Sequence, residues 1–267
     1  MKKKWSVYVF LMALLLAQPV GFARGAESDS RSIAVPILLY HRLGPVVADS
    51  MTVETSVFAS HLEYLKSNGY TVIPLRRLIA YMAGDAPPPP ARSVVITADD
   101  GHGSVFTDMF PLVSRYHIPV TLFIYPSAIS NAKYAMTWPQ LREMHGSGLV
   151  DIQSHTYWHP NFKKEKIRLS ADAYKDFVHM QMSKSKDVLE QRLDDHVDML
   201  AWPFGIYADE LINDARGLGY IAAFTLERRP AYRSDNLMIL PRYLMTNQVQ
   251  FEKLLAAASH MDNKNKP

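Results

Sequence analysis

From residue 34 onward, apolar residues fall into short runs separated by stretches of helical spacing. Pro36, Ile37, Leu38, Leu39 and Tyr40 form a compact apolar run, the pattern of a buried strand. Phe58, Leu62 and Leu65 recur at helical spacing behind Thr55 and Ser56, which read as a cap, and Gly69 closes that helix. Residues 70–73 read as a strand and 75–82 as a short helix. The alternation continues. It predicts strands at 93–97, 120–124, 149–153, 199–202, 220–225 and 238–240. It predicts helices at 104–117, 138–146, from a Ser170 cap to about 193, 208–217 and 251–258. Four prolines at 87–90 read as a surface loop, and residues 262–267 as a frayed tail. Strand and helix alternating at this spacing predict an α/β fold, a parallel sheet covered by helices, open or closed into a barrel.

Composition narrows the class. The 267 residues are 48% hydrophobic and 21% charged, the profile of a globular chain with a sizeable core. No cysteine is present, which excludes disulfides, thiolate metal sites and a cysteine nucleophile. The net charge of +3 comes from Lys2, Lys3 and Lys4; without residues 1–23, basic and acidic residues number 26 each. No basic footprint remains for nucleic acid. Those lysines precede an apolar run from Val7 to Ala17, too short for the roughly 20 residues that span a bilayer. Small residues at Gly21, Ala23 and Ala26 supply cleavage sites, so residues 1–26 read as an export signal, with an uncleaved membrane anchor as the alternative. Either way, the rest of the chain is expected outside the cytoplasm, in the periplasm or beyond.

Chemistry gathers where predicted strands end. Tyr40-His41, Asp99-Asp100-Gly101, His155 with His159, and Pro203-Phe204-Gly205 each follow a strand. In α/β barrels that rim carries the active site. Asp-Asp-Gly alone also suits a tight turn. Two imidazoles four residues apart can be aimed at one point, and two histidines plus one aspartate leave a position open on a catalytic zinc. Nitrogen and oxygen donors favour zinc, with nickel, cobalt and iron next. His102 adjoins the pair as a further candidate ligand. His61, His117, His145, His179, His196 and His260 read as surface or packing residues.

Thr97-Ala98-Asp99-Asp100-Gly101, His155-x-x-x-His159 and Trp202-Pro203-Phe204-Gly205 together resemble the polysaccharide deacetylases, carbohydrate esterase family 4. The opening Pro36 to His41, Met51-Thr52-Val53 and the helix after it resemble the subgroup that deacetylates poly-β-1,6-N-acetylglucosamine. The likeness spans about residues 34–245, within a catalytic domain expected over 34–260. It implies a distorted (β/α) barrel of the polysaccharide deacetylase type and a divalent metal, with zinc first. It implies an N-acetylated polysaccharide as substrate. It implies Asp99 as general base, Asp100, His155 and His159 as metal ligands, the N–H of Phe204 on the oxyanion and His41 as general acid. Arg242, in a late Leu-Pro-Arg, is expected near Asp99; its ordinary reading is a strand-end charge. Tyr157 and Trp158, on the histidine loop, are expected to stack on sugars. Ala98 and Phe204 depart from the Phe and Tyr usual in the family, which removes packing but no ligand. A hydrolase of other acetylated glycans or linear amides, or an inactive glycan-binding domain, are the alternatives.

Overall fold

The computed structural model describes residues 33–264; the expected export signal lies outside the described residues. The strands are β1 (Ile37–Tyr40), β2 (Arg42–Gly44), β3 (Thr52–Glu54), β4 (Thr71–Val72), β5 (Ser93–Asp99), β6 (Val120–Ile124), β7 (Val150–Ser154), β8 (Met199–Ala201), β9 (Ala222–Phe224) and β10 (Tyr243–Leu244). The helices are α1 (Thr55–Ser67), α2 (Leu75–Ala83), α3 (Phe110–Tyr116), α4 (Trp138–Gly146), α5 (Phe162–Arg168), α6 (Ala171–Leu193), α7 (Asp209–Gly217) and α8 (Phe251–Lys264).

Among the described residues the main sheet runs β10-β1-β5-β6-β7-β8-β9, every pair parallel, with β4 added on β5. Strands of a parallel sheet are covered on both faces and so read as apolar runs; all seven residues of β5 are buried. The sheet curls until its ends nearly meet. Leu240 bridges the gap: it pairs with Phe224, its N–H donates to Ala223 O and its carbonyl accepts from Thr225 N. The result is the distorted (β/α) barrel expected of the chain. Inside it, Ile37, Val95, Phe123, Met199 and Phe224 pack with one another and with α2, which closes the floor. Outside it, Leu38, Tyr40, Ile96, Leu122 and Ile152 meet α1, α4 and α6 to α8.

Arg76 of α2 pins that floor. Its Nη1 donates to Asp198 at 2.9 and 3.1 Å, its Nη2 to His196 O at 3.0 Å, and its Nε lies 3.1 Å from Asp151 Oδ2. Gln153, fully buried, donates to Asp151 and accepts from the N–H groups of Asp198 and Met199.

Several local expectations change. Residues 238–240 are not a strand: Leu237–Ile239 is a 3-10 turn, started by Asn236 Oδ1 accepting from Met238 N, and the last strand is β10. Thr55 and Ser56 do not cap α1; Glu54 of β3 is the N-cap, and the Thr55 hydroxyl donates to Asp108. The helix predicted at 104–117 begins as a π turn, Val105–Met109, before α3. The rim strands β2 and β3 and helix α5 were not foreseen. α8 runs to Lys264, so residues 262–264 are helical rather than frayed. Ser170 caps α6 through a bond from Ala173 N, as its position predicts.

Candidate active site

Strand register sets the site's geometry. Tyr40 pairs with Ala98, Asp99 with Phe123, Ile124 with Ser154, Ser154 with Leu200, and Ala201 with Phe224. The strands therefore stop at one level, and the residues that follow them form one mouth.

At β5 the chain turns through two left-handed residues, Asp100 (φ 74°) and Gly101 (φ 73°). A Cβ on Gly101 would lie 3.0 Å from methyl groups of Ile124 and Ile129, so any other residue there would combine a strained backbone with a shift of those side chains. Asp99 is buried and held at both oxygens by Arg242, Nη1 to Oδ1 at 2.8 Å and Nη2 to Oδ2 at 2.7 Å. Arg242 is itself fully buried, its Nε donating to Thr225 O and its guanidinium packed against the rings of Phe123 and Phe224. Burial would raise the Asp99 carboxyl, but Arg242 and then His155 outweigh it and hold Asp99 below the usual carboxylate range.

Asp100 differs. Its Oδ1 is buried and without a hydrogen-bond partner among the described residues. Its nearest basic neighbours are His155 Nε2 at 3.6 Å and His159 Nε2 at 3.8 Å. Burial raises the Asp100 carboxyl more than His41 lowers it. The His155 ring is fixed by its Nδ1 donating to Ala201 O at 2.7 Å, which turns Nε2 toward the mouth. His159 stands at φ 61°, its N–H on Thr156 Oγ1, with the Phe204 ring 4.6 Å away edge-on. Burial lowers both imidazoles, His155 to about 3.

The ligand atoms of Asp100, His155 and His159 all lie within 4.8 Å of one another. Tetrahedral ligands at about 2.0–2.1 Å from zinc stand about 3.4 Å apart. Neutral imidazoles, an unpartnered carboxylate oxygen and separations of 3.6 and 3.8 Å fit a divalent cation. His102 stands outside this group, bonded to Ser104.

His41 is half-buried at the mouth. It feels the charges of Asp99, Asp100, Arg242 and His159, and its Nδ1 is buried without a partner among the described residues. Burial lowers it despite both aspartates. Phe204, at φ 56° in the turn Pro203–Gly205, is 55% exposed. Tyr157 and Trp158 lie farther out: Lys184 covers one face of Tyr157, and Trp158, half exposed, packs on Phe177. The ring beside the histidines is Tyr125, centred 5.5 Å from His159 and 6.5 Å from His155. Sequence reasoning missed it, although it directly follows strand residue Ile124, as the other rim residues follow theirs.

A family model described as polysaccharide deacetylase matches residues 86–223, just over half of the chain. A poly-beta-1,6-N-acetyl-D-glucosamine N-deacetylase of Staphylococcus epidermidis is 28% identical over 202 residues, covering 74% of this chain and 69% of that protein. The Escherichia coli K12 protein of the same description is 26% identical over 244 residues; the match covers 78% of this chain but 36% of that longer protein. Among solved structures, a Streptococcus pyogenes deacetylase in complex with acetate superposes with TM-score 0.75 at 23% identity, over 84% of this chain and 98% of that one. IcaB from Ammonifex degensii gives 0.74 at 24% identity, over 85% and 98%. At such identities these two likenesses are ones of fold.

Proposed function

The chain belongs to the polysaccharide deacetylase family, and on that premise we propose that it is an exported, metal-dependent N-deacetylase of an N-acetylglucosamine polymer. The observation that carries the reading is the pair of adjacent carboxylates held in opposite states. Asp99 is locked to Arg242, while Asp100 is left open beside two neutral imidazoles. The poly-β-1,6-linked glycan named for the relatives is our first choice of substrate. The basic start and short apolar run of residues 1–17 support export.

Asp100, His155 and His159 would hold the cation. A divalent ion there, zinc by the donor set, would supply Lewis acidity toward the acetyl carbonyl and toward water. Asp99, favoured as the carboxylate by Arg242 and oriented by it, accepts the proton of the attacking water. Phe204 N–H donates to the oxygen that gains charge as the carbonyl becomes tetrahedral. His41 gives a proton to the leaving nitrogen, without which an amine is a poor leaving group. Trp158 and Tyr157 are assigned to sugar contacts along the rim.

The test is acetate release by the metal-loaded protein from β-1,6-linked and chitin-type N-acetylglucosamine oligomers and from acetylated esters, with metal content measured alongside. Release from the oligomers that chelator abolishes and divalent metal restores is the expected result. Metal-independent release, or release from O-acetyl esters alone, would replace this reading. Oligomer binding without release would make the chain a glycan-binding module.

A further inference from the structure

A further exposed aromatic stands beside Tyr125. Tyr134 is 47% exposed, yet it is held firmly. Its hydroxyl is hydrogen-bonded to that of Tyr125. Its ring stacks on His102, centroids 6.2 Å apart at 12°. Its carbonyl accepts from Gly103 N at 2.7 Å, and two residues on, Met136 N donates to Gly101 O at 2.9 Å. The loop bearing Tyr134 is thus fastened by backbone to the turn that carries Asp100. A Cβ at Gly103 would come within 3.3 Å of Tyr134 O, so a glycine there permits the close approach. Tyr125 joins Tyr134 to the site, its ring 5.5 Å from that of His159. Tyr134 therefore begins one tyrosine's width from the candidate ligands.

A core tyrosine is buried; this one leaves half of its surface to solvent. A side chain already fixed before binding loses little freedom when a ligand arrives. A pyranose ring presents an apolar C–H face and a rim of hydroxyls, which suits an aromatic with a polar end. We propose that Tyr134, seated on Tyr125, forms a sugar subsite that takes the unit adjoining the one whose acetamide enters the mouth. The proposal rests on the deacetylase reading for which sugar lies next door. The ligand class is a linear N-acetylhexosamine chain of at least two units. The competing account is structural: Tyr134 would only brace Tyr125 and, through it, His159.

The experiment compares Tyr134→Ala and Tyr134→Phe in the metal-loaded protein. One readout is kcat/KM for a β-1,6-linked N-acetylglucosamine pentamer divided by kcat/KM for an aryl acetate in the same variant. The second is calorimetric affinity for the pentamer on an Asp99→Asn background, where turnover does not interfere. The third is metal content. The expected result for Tyr134→Ala is a fall of about tenfold in the ratio and in affinity, with metal retained. Tyr134→Phe, which keeps the ring, should recover most of both. Equal losses on pentamer and aryl acetate, accompanied by metal loss, would overturn the subsite in favour of the bracing role. Unchanged pentamer affinity in Tyr134→Ala, or no pentamer binding by the Asp99→Asn protein itself, would also overturn it. If the parent releases acetate while affinity is unchanged, the subsite falls and the deacetylase reading stands. If the parent releases none, but Tyr134→Ala weakens pentamer binding, the reverse holds.

Discussion

The floor and the rim of the barrel use the same residue types and treat them differently. At the floor, Asp151 and Asp198 both meet Arg76, and Gln153 serves Asp151 and the backbone beside it. That cluster holds α2 across the barrel. At the rim, Asp99 is paired with Arg242 in the same manner. Its neighbour Asp100 is not paired, and neither is His41 Nδ1. A buried polar group without a partner costs about 1–3 kcal/mol. Residue type and burial do not separate the structural acids from the functional one, and neither does a missing hydrogen bond, since Asp151 Oδ2 at the floor lacks one too; what differs is the neighbour, a guanidinium 3.1 Å from Asp151 and only two imidazoles, at 3.6 and 3.8 Å, beside Asp100.

The contrast breaks first at Asp100. Asp100→Asn keeps the shape and tolerates the left-handed backbone, so the fold should persist while stoichiometric metal and all turnover are lost. Metal analysis after dialysis and acetate release together check this. Asp99→Asn should keep its metal and lose about 10²–10⁴-fold in turnover, the range of general-base catalysis. Equal metal loss in the two variants would erase the distinction between the carboxylates. His41→Ala should slow amide substrates by up to about 10²–10⁴-fold and an aryl acetate much less, since that leaving group needs little protonation. Parallel losses on both substrates would make His41 a positioning group.

His61 sharpens the same comparison from the structural side. It is a buried histidine with an answered atom: its Nδ1 is hydrogen-bonded with Tyr40 OH at 3.0 Å, and Phe251 stacks on it. Burial lowers it from 6.5 to about 4. The unfolded chain therefore takes the proton first as pH falls. The contribution of this group is complete above pH 6.5 and is lost between 6.5 and about 4, by up to about 3 kcal/mol. Urea midpoints across that window should fall less steeply in His61→Gln than in the parent. The smallest effect belongs to the floor. Arg76→Met should cost about 1–2 kcal/mol, less than a fully buried pair because the arginine side chain is 40% exposed. Metal content should not change, and calorimetric unfolding separates the two readouts.

The sequence announced long elements and strand-end chemistry and concealed short pieces. β5, α4 and α6 are written in runs and caps that local physics suffices to read. Leu237–Ile239 has the composition of a strand, yet Asn236 starts a 3-10 turn there, and a three-residue run has no period to contradict a wrong assignment. β10 is two residues long after Pro241; its pairing with β1 makes it a strand. Arg242 was readable only by its likeness to a family pattern, because one arginine gives no hint of a partner 143 residues away. Tyr125 had a signal that went unused, its place after a strand. Tyr134 had none: only the backbone ties between two loops bring it to the mouth.

Of the residues held at positive φ, Asp100, Thr156, His159 and Phe204 stand at the rim. Such conformations cost of order 1–3 kcal/mol each outside glycine. Selection for thermal robustness alone would therefore have no reason to spare the mouth. Glycine at position 156 or 204 would relieve the backbone and still leave an N–H in place. Heat-stable descendants chosen without an activity screen should accumulate such changes at the rim as freely as at Arg92, His117 and Asp194, the left-handed residues on the approaches to β5, β6 and β8.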